Sequence, residues 1–414
     1  MSDDWLLPSG HSSAFLPEGS ALRRMPRGPR RPRPRDFVLS KFETRCLVYD
    51  AFWHVDGRRI LLVGPPPLNL WPQLRHARYL ALPSRTPLRE TYHTSASVML
   101  TELAGAPPGT TAVEMQLAHE KYELPLQQNA SPALAGHRVL FTLSKDNELG
   151  WIREWAHYHA AIQGVDAVVL FDNGSSRYGT GEIVETLRGV NGIRHAAVMS
   201  LPYRYGGTDL AVLSNPYYGL FLQIATMSIA LRRYAARAAG LLNCDIDELA
   251  ATPAGTTVFE LARQSQHGLV VTRGQFIEAV PTVPPNGHVP THRDYLSRRR
   301  DPLTRLSRPR KWVLDPTRSW VADLNVHPYM HWIEGRPWFG KTQPPGTFHW
   351  HFRGINTNWK ENRTDASHLT SADIEIDERL QAVVSSPAFL TGPARPLRID
   401  GGARPQHGEA PAAS

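Results

Sequence analysis

The sequence predicts an α/β fold with a mostly parallel sheet, preceded by a smaller β-rich domain. From residue 138 onward, continuously apolar strands alternate with helical segments, which is typical of a parallel sheet covered by helices. Residues 37–137 instead contain short β-branched and aromatic runs that Pro, Gly and Asn separate. A chain of 414 residues is long enough for both units.

Both ends of the chain have few large apolar residues. Residues 1–36 include RRMPRGPRRPRPRD, whose composition predicts a disordered basic arm rich in Arg and Pro. Residues 391–414 end in GGARPQHGEAPAAS, which predicts a disordered tail. The folded part is therefore expected within residues 37–390.

Charge and cysteine content limit the classes of function. The net charge of +8 is concentrated in the arm and in Arg293–Lys311, so no general nucleic-acid surface is predicted. Each patch is either a solvated loop or a surface for phosphate or anionic lipid, and the arm is the candidate contact with a membrane. Two cysteines, Cys46 and Cys244, give no disulfide framework. With no apolar run of transmembrane length and no signal peptide, we expect a cytoplasmic protein, with the arm at the inner membrane face.

The β-rich part and the α/β part differ in their order of elements. CLVYDAFW, RRILLVGP, ARYLALP, SASVMLTEL and TTAVEMQLA predict a small antiparallel sandwich with a packing or accessory role. The α/β part begins with the strand HRVLFTLSK and a helix that Asn147 can cap and Gly164 can end. The strand VDAVVLF, the helix TGEIVETLRGV and the strand HAAVMSL follow. A long helix from Asn215-Pro216 to Ala239 then leads to the strand LLNCDIDEL.

Polar side chains follow three of these strands where each strand ends. They are Ser144–Glu148, Asp172–Ser176 and Asp245–Glu248. Ligands of open α/β sheets bind at the carboxyl ends of the strands, so these clusters are expected to form one site. No GxGxxG motif follows the first strand and no P-loop motif is present, which disfavours dinucleotide oxidoreductases and P-loop NTPases.

Three carboxylates are crowded into Asp245–Glu248 after an apolar run. Buried like charges repel one another unless a cation shares the site, and Mg²⁺ or Mn²⁺ prefers such oxygen ligands. Alternation along a strand would place Asp245 and Asp247 on one face and Glu248 on the other. The alternative is a solvated acidic turn without a metal.

The quoted segments together resemble a known family. SKDNELGWIREWAHYHAAIQGVDAVVLFDNGSS, NCDIDE, RPRKWVLDPTRSWVADLNVHPY and HWHFRGINTNWKENR are similar to the nucleotide-sugar-binding half of GT-A glycosyltransferases. The similarity is closest to the bacterial family 2 and family 92 group and covers roughly residues 138–370. It implies a GT-A, Rossmann-like catalytic domain over residues 138–390.

The resemblance also implies roles for single residues. The metal ligands would be Asp245, Asp247 and His327. The residues that contact the nucleotide sugar would be Lys145, Asn147, Glu148, Asp172, Asn173, Ser175, Asp245, Lys360 and Arg363. The last two would lie on a loop that closes over the diphosphate. From their spacing alone, His349 and His351 could bracket a metal on one strand face or serve the acceptor site.

The function that these features imply is metal-dependent glycosyl transfer with Mn²⁺ or Mg²⁺. The resemblance favours a UDP-sugar donor, inversion, and a glycan or lipid-linked acceptor of the kind used in polysaccharide biosynthesis. Inversion needs a general base, for which Asp294 and Glu278 are the candidates. Two alternatives remain: a non-catalytic protein that binds nucleotide sugar or polyanions, and a nucleotidyltransferase, although the chain has no Gly-rich triphosphate loop.

Overall fold

The structure is a computed structural model with a mixed α/β fold in which strands outnumber helices. It describes residues 5–26, 41–206, 219–282, 287–337, 343–357 and 363–391. Among these residues, no helix is both long enough and apolar enough to cross a membrane.

The first part of the chain forms two four-stranded antiparallel sheets and a short pair. The strands are β1 (Ala14–Phe15), β2 (Cys46–Val48), β3 (Asp50–Trp53), β4 (Ile60–Gly64), β5 (Arg78–Leu82), β6 (Thr86–Pro87), β7 (Arg89–Thr94), β8 (Met99–Ala104), β9 (Ala112–Leu117) and β10 (Glu120–Pro125). The sheet orders are β3-β4-β8-β7 and β10-β9-β5-β6, and helix α1 (Trp71–Leu74) lies between β4 and β5. Side chains from both sheets share one apolar core, as the sandwich pattern predicted.

The second part is built on an eight-stranded mixed sheet. Its strands are β11 (Arg138–Ser144), β12 (Ala167–Asp172), β13 (His195–Ser200), β14 (Gly240–Asn243), β15 (Glu248–Ala251), β16 (Leu269–Ile277), β18 (Leu306–Leu314) and β21 (Phe348–Phe352). Two short antiparallel pairs lie outside it: β17 (Ser297–Arg299) with β22 (Ile374–Ile376), and β19 (His327–Pro328) with β20 (Ile333–Glu334). The helices are α2 (Leu149–Gln163), α3 (Thr180–Arg188), α4 (Phe221–Ile229), α5 (Val258–Gln264), α6 (Pro302–Arg305), α7 (Glu378–Val384) and α8 (Pro387–Leu390).

The order of strands creates a topological switch point in this sheet. The order is β13-β12-β11-β14-β18-β16-β21-β15, and the first four strands are parallel. Strand order reverses between β11 and β14, which is the kind of switch point where open α/β sheets bind nucleotides. Beyond β14 the sheet is mixed, because β18 is antiparallel to both of its neighbours. The prediction of a mostly parallel sheet therefore describes only the β13–β14 half well.

Helix α2 follows its predicted pattern closely. Its buried face includes Trp151, Trp155 and Tyr158, and Gly164 ends it in the left-handed conformation at φ +67°. The N-cap is Glu148 rather than Asn147, and no side chain caps the helix there. The predicted helix over residues 215–239 is shorter than expected where it is described, since α4 ends at Ile229 and a π-helical turn follows. Its predicted start at residues 215–216 lies outside the described residues.

The N-terminal segment is folded, so the prediction of a disordered arm is wrong for residues 5–26. Strand β1 pairs with β2, and Leu16 is fully buried. The Arg24 guanidinium is also buried, because it donates hydrogen bonds to the main-chain carbonyls of Pro66 (2.8 Å) and Cys46 (2.6 Å). Residues 27–40, which carry most of the Arg-Pro run, and the predicted tail beyond residue 391 lie outside the described residues.

One apolar core extends across the predicted boundary at residue 138. Phe52 and Leu61 of the first part lie in the same buried cluster as Phe141 and Phe171 of the central sheet. A buried ion pair reinforces this contact, with Arg233 Nη1 2.8 Å from Asp50 Oδ2. At residue 138 the strand topology therefore changes, but the two parts share one apolar core.

Candidate metal centre

The acidic segment forms a tight turn between two strands. Strand β14 ends at Asn243, and β15 begins at Glu248 against a different neighbour, β21. Two hydrogen bonds close the turn: the Asp245 N–H donates to Glu248 Oε2 and the Glu248 N–H donates to the Asp245 carbonyl, each at 3.0 Å. The predicted alternation of Asp245 and Asp247 on one strand face is therefore wrong.

The turn brings three potential metal ligands together. Asp247, Glu248 and His351 each offer a ligand atom, and these atoms lie within 4.8 Å of one another. His351 reaches the turn because β21 pairs with β15 in the register that opposes it to Glu248. We call these three residues the triad. Its Asp247 Oδ2 and His351 Nε2 atoms are 3.1 Å apart.

The orientation of His351 fits a metal ligand. Its Nδ1 lies 2.8 Å from the Ser307 hydroxyl, and this contact directs Nε2 towards Asp247. Metal-binding histidines generally have their second nitrogen held in this way, which fixes the ring and its tautomer. Two carboxylates and one oriented imidazole are a donor set that a divalent cation accepts.

Asp247 is partly buried, with 16% of its side chain exposed, and remains ionised. Burial alone would raise its pKa, but His351, Arg363 and Lys311 beside it outweigh burial and lower the pKa below its ordinary value. Arg363 Nη2 lies 3.2 Å from Asp247 Oδ2. A carboxylate that keeps its charge at this depth is suited to bind a cation.

Lys311 neutralises the other two carboxylates of the turn. Its buried ammonium lies 3.0 Å from Glu248 Oε2 and also forms an ion pair with Asp245. Burial would lower the pKa of Lys311, but these two carboxylates raise it, so the side chain stays charged. Burial raises the pKa of Glu248 to about 7 against the opposing effect of Lys311. Asp245 was predicted as a metal ligand, but it is a partner of Lys311 and is outside the triad.

A second histidine of β21 lies behind the triad. His349 is fully buried, and its Nδ1 is 2.9 Å from the Thr272 hydroxyl. Its Nε2 has no hydrogen-bond partner and faces Glu248 Oε1 at 3.5 Å. Burial lowers the pKa of His349, so the ring is neutral. An unpartnered buried nitrogen beside a carboxylate is unusual and points to a site that takes a further group.

Asp172 and Ser175, which were predicted to contact the nucleotide, connect the loop after β12 with the loop after β11. The Asp172 carboxylate accepts the N–H groups of Gly174 (3.1 Å) and Ser175 (3.0 Å). The Ser175 hydroxyl in turn accepts the N–H of Asp146, at 2.8 Å, from the loop after β11. These hydrogen bonds hold together the loops after β11 and β12, beside the switch point.

The other predicted nucleotide contacts have different partners. The Asn173 amide donates to two main-chain carbonyls after β13, at 2.7 and 2.8 Å. Asn147 donates to the Ser144 hydroxyl at 2.9 Å, and Glu148 forms an ion pair with an arginine at position 177. Lys145 is exposed, and Lys360 lies outside the described residues.

The two predicted general bases lie in different surroundings. Asp294 caps a short 3₁₀ helix, because it accepts the N–H of Thr291 at 2.7 Å and contacts the hydroxyl of that residue at 3.2 Å. Glu278 is buried between two arginines, with Arg299 at 3.2 Å and Arg353 at 3.4 Å. Asp294 is thus occupied by a local structural role.

Glu278 belongs to a layer of side chains that reaches the triad. The Arg353 guanidinium lies 4.0 Å from the centre of the Phe276 ring. Phe276 packs in turn on His351, with ring centres 5.0 Å apart. Glu278 is therefore linked to the triad through two packed side chains.

His327 was predicted as a metal ligand and is not in the triad. It lies on β19, is buried, and neither ring nitrogen has a hydrogen-bond partner. Burial, together with the charges of Arg232 and His93, lowers the pKa of His327 to about 4. The group of potential ligands that the described residues bring together around Asp247 does not include His327.

Replacing His327 with Leu is expected to reduce the acid sensitivity of the fold. Because its folded pKa is depressed, neutral His327 contributes stability above pH 6.5, and this contribution is lost as the pH falls towards 4. The loss amounts to up to about 3 kcal/mol. Urea unfolding at pH 7 and pH 4 measures it: the variant should lose less stability than wild type. An unchanged difference between the two pH values would contradict this role.

An aromatic cavity lies close to the end of β14. It has a volume of about 410 Å³ and is lined by residues that include Tyr329, Trp332, Glu334 and Arg336. The rings of Tyr329 and Trp332 stack with centres 4.8 Å apart, and Trp332 is 42% exposed. The cavity adjoins the acidic turn because the Asn243 amide donates to the carbonyl of residue 330 at 3.0 Å.

No family model matches this chain, and no curated protein matches it significantly. The similarity to glycosyltransferases therefore rests on the quoted sequence segments. The triad and the sheet edge on which it lies are the structural basis for an inference about function.

Proposed function

We propose that this protein is a metal-dependent glycosyltransferase that moves a sugar from a nucleotide donor to an acceptor hydroxyl. The observation that carries the proposal is the triad: Asp247 and Glu248 come in the turn after β14, a strand at the switch point of the sheet, and His351 reaches them from β21. Nucleotides bind at such switch points, and a cation held there would meet the diphosphate. We assign residues 138–390 to a GT-A-like catalytic part, with residues 37–137 as an accessory part.

The donor set favours Mn²⁺ over Mg²⁺. Mg²⁺ prefers oxygen ligands and retains several waters, whereas an imidazole ligand is more readily accepted by Mn²⁺ and later transition metals. When bound, the ion supplies positive charge that offsets the charge developing on the departing nucleoside diphosphate. Asp247, Glu248 and His351 would hold the ion, and Lys311 pairs with Glu248 in the turn.

Glu278 is the preferred candidate for the general base. The acceptor hydroxyl must lose its proton as the new glycosidic bond forms, which requires a carboxylate on the acceptor side. Both carboxylates have partners, Thr291 for Asp294 and two arginines for Glu278, but only Glu278 lies in the layer that packs against His351. A separate base of this kind is what inversion at the transferred sugar would require.

The aromatic cavity is the proposed acceptor site. Exposed aromatic rings offer a flat apolar face, and Glu334 and Arg336 add polar groups that sugar hydroxyls can bond. Its position beside Asn243 would bring an acceptor close to the sugar on the metal-bound donor. We therefore propose a glycan-containing acceptor that stacks on Trp332.

Replacing Trp332 with Ala is expected to reduce transfer more than donor hydrolysis. Loss of one stacking surface costs about 1–2 kcal/mol, or roughly tenfold in affinity for the acceptor. Product formation from a panel of glycan acceptors measures the transfer, and release of nucleoside diphosphate without an acceptor measures the hydrolysis. Trp5→Ala is the control, because Trp5 donates to the Ile193 carbonyl beside β13, the strand at the far edge of the central sheet. Equal loss of both activities in Trp332→Ala would contradict an acceptor role.

A ligand screen tests the proposed function. Nucleotide sugars are added to the full-length protein with and without Mn²⁺, and the melting temperature is recorded. A ligand that binds only the folded state raises its stability by mass action, so the correct donor should stand out and should require the ion. Donor binding without hydrolysis or transfer would favour a binding protein, and release of pyrophosphate from a nucleoside triphosphate would favour a nucleotidyltransferase.

A further inference from the structure

We infer that Arg363 and the divalent cation are alternative occupants of the same two ligands, so that the cation binds tightly only together with the nucleoside diphosphate. This inference rests on the proposed function and concerns how the same site is loaded. Arg363 is then a positioning residue: it releases Asp247 and His351 when the diphosphate binds, and donates to the phosphate oxygens instead.

The Arg363 guanidinium contacts two members of the triad at once. Its Nη2 lies 3.2 Å from Asp247 Oδ2, and its Nη1 lies 2.9 Å from His351 Nε2. A third contact, 3.3 Å from Nη2 to Asn356 Oδ1, holds the group in this position. The atoms that Arg363 contacts are those that the triad would offer to an ion.

Arg363 and a metal ion cannot both bind His351 Nε2 at the same time. A guanidinium has no acceptor atom, so Arg363 must donate to Nε2, which then uses its lone pair. The ring proton is accordingly on Nδ1, where the Ser307 hydroxyl lies 2.8 Å away. A metal ion needs the same Nε2 lone pair. His351 can therefore serve Arg363 or the ion, but not both.

The charges around Asp247 lead to the same conclusion. In the tautomer that accepts from Arg363, Asp247 Oδ2 and His351 Nε2 are two electron-rich atoms 3.1 Å apart, and a shared cation stabilises such a pair. Arg363 provides that cation, while Lys311 is already shared by Asp245 and Glu248. A divalent ion beside Arg363 would place two cations on one carboxylate oxygen.

A nucleoside diphosphate removes this conflict. Guanidinium groups bind phosphate oxygens through paired hydrogen bonds, so a diphosphate gives Arg363 a new partner when the ion takes the triad. Binding of the ion and of the diphosphate is then positively coupled, and the coupling is reciprocal. Without the anion, the ion must displace Arg363 at a cost in free energy.

Binding of Mn²⁺ to wild type and to Arg363→Met tests the inference. The EPR signal of free Mn²⁺ gives its affinity with and without UDP. Wild type should bind Mn²⁺ on the order of tenfold more tightly with UDP. In Arg363→Met, Mn²⁺ alone should bind more tightly by a similar factor, and the effect of UDP should largely disappear. Arg363→Lys keeps the charge and should retain part of the coupling.

A matched control removes one arginine elsewhere. Arg318 is similarly exposed and pairs with Asp315 at 2.9 Å, beside the β16 end opposite to the triad. Arg318→Met should therefore bind Mn²⁺ as wild type does. Folding of all variants is checked by their melting curves, so that a loss of binding is not confused with unfolding.

Two outcomes would overturn the inference in distinguishable ways. If Arg363→Met binds Mn²⁺ alone no more tightly than wild type, the competition is refuted, while the metal centre stands as long as Asp247→Asn loses the ion. If wild type binds no Mn²⁺ with or without UDP, the metal centre itself fails and the inference fails with it.

Discussion

Replacing Asp247 with Asn is expected to reduce sugar transfer by about 10³-fold or more, since metal-held charge stabilisation is lost from the transition state. Asn has the same size as Asp, but it lacks the charge that Asp247 retains at depth. His351 and Arg363 would face a neutral amide, so neither the ion nor the guanidinium would be held as before.

The neighbouring Asp245 is the matched control for this prediction. It lies in the same turn but pairs with Lys311 and is 38% exposed, so Asp245→Asn should lose only about tenfold or less. Steady-state release of nucleoside diphosphate with Mn²⁺ measures both variants, and circular dichroism verifies the fold. Equal losses in the two variants would contradict the assignment of Asp247 to the triad and of Asp245 to Lys311.

Replacing Lys311 with Met is expected to cause a large loss of stability. The ammonium is buried between Glu248 and Asp245, and its removal leaves a fully buried carboxylate without a cation. Breaking a buried ion pair by removing one partner typically costs about 3–5 kcal/mol. Thermal and urea unfolding measure the loss.

A second substitution shows whether the cost comes from the uncompensated charge. Glu248→Gln removes that charge, so the double variant Lys311→Met with Glu248→Gln should recover most of the stability lost by Lys311→Met alone. Purely steric damage by Met would leave the double variant as unstable as the single one. If Lys311→Met were as stable as wild type, the claim that Lys311 stabilises the buried carboxylate would be contradicted.

The parallel half of the central sheet, from β13 to β14, could be predicted from the sequence, because its strands and helices show clear local patterns. Continuous apolar runs such as residues 167–172 and the helix that ends at Gly164 are determined by burial and capping within short segments. The clusters at the strand ends followed from the same reasoning. Asp247 was found in this way, because an acidic residue after a buried strand is visible in the chain itself.

The rest of the site depends on contacts between distant segments. LLNCDIDEL reads as one strand, but β14 ends at Asn243 and β15 pairs with β21, whose register puts His351 opposite Glu248. A shift of one residue would turn His351 to the other face, and local composition does not specify such a register. The spacing of HWHF marked His349 and His351 as a possible metal pair, but nothing local indicated Lys311.

The prediction of a disordered N-terminal arm was wrong for residues 5–26 for a related reason. Composition alone indicated disorder, whereas Arg24 is buried because carbonyl groups brought from other segments accept its hydrogen bonds. Leu16 likewise packs in an apolar core that strands distant in sequence form. Both contacts arise from tertiary structure that composition does not encode.

Pulsed EPR of bound Mn²⁺ tests the central claim most directly, because it detects nitrogen ligands of the ion. With UDP present, wild type should show hyperfine coupling to one imidazole nitrogen, and His351→Gln should lose that coupling. His327→Leu, whose side chain lies outside the triad, should retain it. Bound Mn²⁺ without nitrogen coupling in wild type, or with coupling that survives in His351→Gln, would contradict the claim that Asp247, Glu248 and His351 form the metal centre.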